Sequence, residues 1–443
     1  MKTFHRGGIH PADNKLSAGQ RIETLAPPKL AVIPLSQHIG TPAQPIVAVG
    51  DQVKVGQRIG DPAGPMSAAV HSSVSGKVVA IGEIKDAYGL KQTAVTIQTE
   101  GDDWMPEIDK SGQIKPNCHY LPNEILQKIA DAGIVGLGGA CFPTSVKLNP
   151  PASCHIDTLL INGVECEPYL TPNYRLMIEK SEEIMVGITI LMRCLKVDRA
   201  LVGIEANKPE AIERFEHIAA RRDGIEIVPL QMKYPQGGEK QLIQALTGRE
   251  VKSGQLPASA GVVVINVATT FAIYEAVQMN KPLIESYLSV SGSNLTKTGN
   301  FKVRIGTPMA EVMEHVSGVP EDTGKIIAGG PMMGRSMIHL NAPVTKRITG
   351  ITLLSRSEAK RTAPSPCIRC CSCMQACPMG LEPYLLARKA ELKDWDFLEK
   401  HHIMDCMECG CCSYSCPSHR PLLDSIRLGK ATVAGILRAR AKK

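Results

Sequence analysis

Two stretches near the carboxyl end carry side chains able to hold soft metal centres. CIRCCSCMQACP runs from Cys367 to Pro378, and CMECGCCSYSCP from Cys406 to Pro417. Each reads as C-x2-C-x2-C-x3-C-P. In that spacing three thiolates on a tight loop grip three irons of a cubane, and the fourth, before a proline, reaches across to a second one. One [4Fe–4S] centre is therefore expected on Cys367, Cys370, Cys373 and Cys416, and another on Cys406, Cys409, Cys412 and Cys377. Iron–sulfur ligation needs soft, deprotonated sulfur, and nothing else in the chain supplies it at this density. A zinc site would use two CxxC pairs without the third cysteine and the following Cys-Pro. Disulfides are disfavoured, because Met1–Gly8 has no apolar run of the kind a secretory signal needs. Cys371 and Cys411 lie one residue off register, and read as small buried neighbours of the clusters or as reactive spares.

A second set of residues suits a phosphate or a flat ring. GIVGLGGACFPTSVKL, from Gly133 to Leu148, is a glycine run that lets backbone N–H groups approach a ligand unobstructed. It is neither a Walker A loop nor a G-x-G-x-x-G after a strand. Lys147 could neutralise a phosphate or be an ordinary surface lysine. NGVECEP follows a strand at Asn162, YPQGGEK leads into a helix at Glu239, and INVATT closes a strand at Asn266. Glu165 and Glu167 suit hydrogen bonds to a ribose or an amide, or are solvated turn carboxylates.

The elements that position these residues alternate. Strands are expected at 158–162, 200–204, 225–231 and 262–266, with helices at 121–131, 175–195, 208–222, 239–246 and 269–279. Short links between them imply a doubly wound, mostly parallel sheet, which binds ligands outside the carboxyl ends of its strands. Before it, 30–97 is β-rich and punctuated by Gly, Asp and Pro turns. Its two halves, VAVGDQVKVGQRIG and VHSSVSGKVVAI, resemble a lipoyl/biotinyl barrel-sandwich module. The interval DPAGPMSAA lacks the lysine a carrier would modify, so the module is expected to brace or dock. After the sheet, 282–351 is a second β-rich unit around one helix, 309–315. A helix is expected over 382–399 between the cysteine motifs. The tail places Leu422, Ile426, Val433 and Leu437 at helical spacing; it either packs on the cluster region or meets an anionic surface, with Gly429 and Gly435 weakening a long helix.

Bulk properties narrow the function further. A chain of 443 residues suits two to four domains. Aromatic content of 4% argues against base-stacking nucleic-acid surfaces. The net charge of +7 is local: Arg420–Lys443 carries seven basic residues against Asp424 alone. No nucleic-acid partner is expected. The most apolar stretch, 261–279, is broken by Asn266, Thr269, Thr270 and Glu275, and reads as a strand entering a helix, not a membrane span.

GLGGACFPTSVKL, NGVECEP, YPQGGEK and INVATT occur in the same order and at similar spacing as the motifs of the flavin-bearing, NADH-oxidising subunit of respiratory complex I. With the GGIHP start, the barrel-sandwich halves, GGPMMG and the double cysteine motif, the whole chain is similar to the RnfC family, the NADH-side subunits of the Rnf complex, a membrane-bound ferredoxin:NAD oxidoreductase. The resemblance implies a multidomain α/β and α+β chain. Its parts would be an N-terminal segment (1–29), the barrel-sandwich domain (30–105), a Rossmann-like FMN/NADH domain (120–281), an SLBB β-grasp domain (282–351), a bacterial-ferredoxin-type 2[4Fe–4S] domain (358–420) and a basic tail (421–443). It implies FMN held by Gly136, Gly138, Gly139, Lys147, Asn162, Gly237, Asn266 and Thr269, and NAD(H) contacting Ala140, Phe142, Glu167, Tyr234 and Glu239. Complex I has arginine at Leu137, glycine at Cys141, an acid at Val164 and glutamate at Gly238; this chain departs from it there.

Nicotinamide exchanges two electrons as a hydride and a cubane accepts one, so a flavin belongs between them. The expected activity is hydride exchange between NAD(H) and FMN, with single electrons passing through two clusters; no acid or base residue is assigned. The resemblance implies integral-membrane and iron–sulfur partner subunits, ferredoxin reached through a partner, coupling to cation translocation, and a peripheral place on the cytoplasmic face of the inner membrane. Alternatives are a cobalamin reductase (with the glycine loop ahead of the barrel module, the reverse of the order here), a bifurcating-hydrogenase subunit, and a flavin-free electron conduit.

Overall fold

The computed structural model describes residues 1–441, so Lys442 and Lys443 of the basic tail lie outside the described residues. Four short apolar strands, Thr158–Gly163, Ala200–Glu205, Ile225–Leu230 and Val262–Asn266, form one parallel sheet, with the first lying between the second and the fourth. Their Val/Ile/Leu runs suit burial on both faces. On one face Leu159, Ile161, Val202 and Ile265 pack with helices Ser181–Leu195 and Val267–Gln278. On the other, Leu160, Leu201 and Val264 pack with Glu239–Thr247. The sheet is doubly wound, as the alternation predicts.

Two expected helices are broken. The span 175–195 is Pro172–Glu179 and Ser181–Leu195: Lys180 leaves helical dihedrals (φ −130°, ψ 30°), and Glu182 and Glu183 fall in the next first turn, where the helix dipole favours acids. The span 382–399 is Pro383–Glu391 and Trp395–Lys400. Lys393 is left-handed between them (φ 57°), and the Asp394 carboxylate caps the second by accepting from Phe397 N at 3.3 Å.

The β-rich units flank this sheet. Residues 30–99 fold into a four-stranded and a three-stranded antiparallel sheet, the two halves of a barrel sandwich. Every residue of 67–76 is buried. There Ser73 donates to the carbonyl of Ile305, and its own carbonyl accepts from Arg304 at 2.8 Å. The stretch after the carrier-like turn is therefore closed against the β unit of 282–351, while the turn itself, 61–66, stays exposed or half-exposed. That unit is a six-stranded mixed sheet carrying helix Met309–Glu314. One of its strands comes from far away in sequence: Ile22–Thr24 pairs in parallel with Asn300–Lys302. The leading segment thus completes the edge of the β-grasp sheet.

In the C-terminal unit, Pro383–Glu391, Trp395–Lys400 and the long helix Leu422–Ala441 enclose Leu386, Leu398, Ile403 and Ile426. The long helix runs unbroken through both glycines, contrary to the sequence reading. Gly429 is a close-approach point, since a Cβ there would lie 2.9 Å from Leu398 and 3.0 Å from Ala390 and Ile403. Packing replaces the propensity that glycine lacks. Arg440 ties the far end down, donating to both Glu399 carboxylate oxygens at 2.9 and 2.7 Å. Gly429→Leu should overpack this contact and cost about 1–3 kcal/mol, read by denaturant unfolding, whereas Gly435→Leu, facing open space, should not. Among the described residues no helix is long and apolar enough to cross a membrane.

Candidate redox site

The winding of the parallel sheet reverses between Thr158–Gly163 and Val262–Asn266, because the chain builds outward on one side of the first strand and then returns to its other side. Carboxyl ends flanking such a switch point open a crevice. Asn162 and Asn266 are register partners at those two ends. The Asn266 carboxamide oxygen caps the following helix, accepting from Ala268 N at 2.9 Å and Thr269 N at 3.3 Å. Asn162 donates to Gly237 O at 2.9 Å, which fixes the YPQGGEK turn beside the crevice.

The glycine run folds as a tight hairpin over this point. Gly136 N donates to Phe142 O at 2.9 Å and Cys141 N to Gly136 O at 3.0 Å, leaving Gly138, Gly139 and Ala140 exposed at the tip. Gly138 lies against Asn266, at 3.5 Å from where its Cβ would be, and Gly139 (φ +100°) faces open space. Thr269 holds the hairpin by accepting from Leu137 N at 2.8 Å. Lys147 and Glu239 stand half-exposed and paired at 2.5 Å.

A lysine with no distinguishing sequence signal anchors the hairpin base. Lys346 is buried and donates to Ala69 O at 3.0 Å and Gly133 O at 2.8 Å, joining the barrel module, the β-grasp unit and the hairpin. Burial pushes its pKa from 10.5 down to about 8. In the unfolded chain the amine keeps its proton up to 10.5, so between pH 8 and 10.5 the unfolded state binds more protons and the penalty for burying this ammonium fades as pH rises. The stability gap between the parent chain and Lys346→Met should therefore move toward the parent, by on the order of 3 kcal/mol across that window, in urea titrations at several pH values.

Three residues expected at the ligand engage protein partners instead. The Glu165 carboxylate accepts from Asn173 N at 2.7 Å and Tyr174 N at 3.0 Å at the start of a helix. Glu167 accepts from Met332 N at 2.6 Å and Met333 N at 3.0 Å, in the GGPMMG turn. The Tyr234 hydroxyl donates to Cys409 O at 2.9 Å. Burial raises the pKa of all three groups. Beneath them Lys15 donates to the carbonyls of Glu165, Glu167 and Leu170, each at 2.8 Å, and so grips the ECEP loop from inside. No sequence signal separates Lys15 from a surface lysine. Cys166 accepts from Gly237 N at 3.4 Å, and burial pushes its thiol up to about 12.

The motif cysteines wall two cavities. Cys377, Cys406, Cys409 and Cys412 line one, together with Cys411. Cys367, Cys370, Cys373 and Cys416 line the other, together with Cys371. Each cavity thus takes one of its sulfurs from the other motif. Among the described residues no three His, Cys, Asp or Glu side chains converge on a point fit for a single ion. The cavities differ in setting. The first is buried against the sheet domain: a Cβ on Gly238 would lie 2.7 Å from the Met407 methyl, and Gln241 donates to Pro378 O at 3.4 Å. The second is bordered by a loop, 360–371, exposed at every residue, with Ile368 68% accessible.

Fold and site define a component of a flavin-linked oxidoreductase. Residues 129–275 match the family model described as the Nuo51 FMN-binding domain, 2–102 the RnfC barrel sandwich hybrid domain, and 287–336 the SLBB domain. The chain is 42% identical, over 97% of its length and 96% of the relative's, to the C component of the Na(+)-translocating ferredoxin:NAD(+) oxidoreductase complex of Acetobacterium woodii. It is 44% identical to the proton-translocating counterpart of Clostridium ljungdahlii, over 87% of this chain and 84% of that one. It is 43% identical to the corresponding component of the ion-translocating oxidoreductase complex of Rhodobacter capsulatus, over 97% and 83%. The chain belongs to this RnfC family. It also shares its fold with a chain of an NAD+-reducing [NiFe]-hydrogenase, at a TM-score of 0.50 and 18% identity over 71% of this chain and 66% of that one.

Proposed function

We propose that the switch-point crevice holds FMN, shaped by Gly136, Gly138, Gly139, Asn162, Gly237, Asn266 and Thr269, with Lys147 supplying a cation for its phosphate. NAD(H) enters past Ala140, Phe142 and Glu239. Held there, FMN would supply the conversion between a hydride's two electrons and single electrons. The protein's part is to bind and place: the hairpin offers backbone N–H groups, and its base, fixed from three sides, keeps them preorganised. Glu165, Glu167 and Tyr234 act one layer back, supporting the crevice wall and the Cys409 loop. No residue is assigned as acid or base.

The two cysteine cavities each hold a [4Fe–4S] cluster and carry electrons between the crevice and the exposed loop of Cys367 and Cys370, where a partner protein docks. The relatives are named as subunits of ion-translocating complexes. On that footing the chain is a peripheral subunit on the cytoplasmic face, linking NAD(H) to ferredoxin through iron–sulfur and integral-membrane partners that move the cation. The observation that carries this reading is the register pairing of Asn162 with Asn266 beneath the glycine hairpin, with one cysteine cavity packed against the same domain. The test is anaerobic purification, with flavin release on acid denaturation, iron and sulfide content, and NADH:ferricyanide activity. Clusters without flavin and without NADH oxidation would leave only an electron conduit.

A further inference from the structure

The opening GGIHP stretch takes no part in the crevice, yet it is among the most tightly placed backbone in the chain. Lys2 bridges Leu230 in parallel and accepts from Gln231 N at 3.0 Å, extending the sheet at its Ile225–Leu230 edge. Thr3 donates to Gln236 at 2.7 Å, and His5 N to the Gln244 carboxamide at 3.0 Å. Phe4 is 1% exposed, with the Lys233 ammonium 4.1 Å from its ring centre. Ile9 exchanges two 2.9 Å backbone hydrogen bonds with Tyr234. Every one of these contacts is to the sheet domain. Between them the chain turns to the cysteine unit: Gly8 N donates to Ala376 O at 3.0 Å, and Gly7 lies flat on the next peptide. A Cβ on Gly7 would come within 2.5 Å of the Cys377 carbonyl and 2.7 Å of Pro378 N, and Gly7 is left-handed (φ +66°). Only glycine satisfies both conditions.

We infer that Lys2–Ile9 is a positioning strap that fixes the Ala376–Pro378 turn, and with it Cys377, against the sheet domain. Cys377 is the cysteine that crosses from the first motif to the cavity packed against the sheet domain, so the strap helps set that cavity's place, beside Tyr234 and Cys409, with which Ile9 is clustered. Sheet and cysteine unit are separated in sequence by the β-grasp unit and its linker (282–366), and the strap joins them directly. Placement is what it contributes, since none of its residues lines either cysteine cavity. The inference rests on the proposed electron path for its kinetic consequence and on the contacts alone for its structural one.

Gly7→Ala in the full chain tests both. Hydrogen exchange at Gly8 and across 376–380 should quicken about tenfold or more in cofactor-free and loaded protein alike. NADH should still bleach the flavin with unchanged KM, while growth of the cluster EPR signal slows about tenfold or more, as small misplacements do. Gly19→Ala, with no neighbour within 4 Å, is the control that should change nothing. Should Gly7→Ala fail to fold, Phe4→Ala releases the strap without forcing a clash and is read in the same way. Exchange and cluster reduction matching the parent chain would overturn the strap. A parent chain in which NADH bleaches no flavin would instead sink the functional proposal, and the exchange comparison would still decide the strap.

Discussion

Cys412→Ser is expected to strip the cluster nearest the flavin domain and halt electron flow beyond the flavin, while Cys411→Ser leaves both clusters in place. The two thiols are adjacent and both buried, so burial does not separate them. Geometry does. Cys411 opens the one-turn helix Cys411–Tyr414 right after left-handed Gly410, and its thiol is engaged with that of Cys409. Cys412 is the residue that keeps the two-residue gap from Cys409. The cavity it lines is the one in contact with the sheet domain, so its loss should cut the path at its first step. NADH should bleach the flavin of Cys412→Ser at the parent rate. Iron and sulfide should fall by about half, and the remaining cluster should stay oxidised under NADH yet be reducible by dithionite. The opposite pattern, with Cys411→Ser losing a cluster and Cys412→Ser keeping both, would shift the register by one.

The contrast between these neighbours marks how far sequence reasoning reached. Spacing sorted eight cysteines into two sets of four, and each set lines one cavity together with one further cysteine. Alternating apolar runs gave the parallel sheet and hence the strand ends where Asn162 and Asn266 meet, because burial on both faces imposes a pattern that composition displays. Side-chain partners were not readable in the same way. Glu167 and Tyr234 lie in motifs that resemble a dinucleotide site, but their polar atoms face the GGPMMG turn and the Cys409 carbonyl, contacts fixed by how three domains dock. Lys15 and Lys346 carry no signal, since a lysine clamping buried carbonyls is written with the same letter as one in water. The broken helices at Lys180 and Lys393 depended on dihedrals that propensity does not forbid. Gly429 misled in the other direction: its cost in helix propensity is offset by a close approach visible only in three dimensions.

The crevice itself is tested most sharply at Gly138. Alanine there meets Asn266 at 3.5 Å, an ordinary contact, and the backbone is not in the left-handed region, so Gly138→Ala should keep both fold and flavin. A longer side chain on this exposed tip would extend beside Asn266, where the proposed ligand lies. Gly138→Leu should weaken FMN binding about a hundredfold or more, because it fills the ligand's volume and pushes the hairpin's N–H groups away from it. Iron and sulfide content should be unchanged, since the cavities lie on a different unit, and unfolding of the flavin-free protein should match the parent. NADH:ferricyanide activity should disappear with the flavin. Gly139→Leu is the poorer probe, because φ +100° strains any substituted residue before it meets a ligand. Flavin bound to Gly138→Leu with parental affinity would remove the switch-point crevice as its site. The register pairing of Asn162 and Asn266 would then be a feature of the sheet alone.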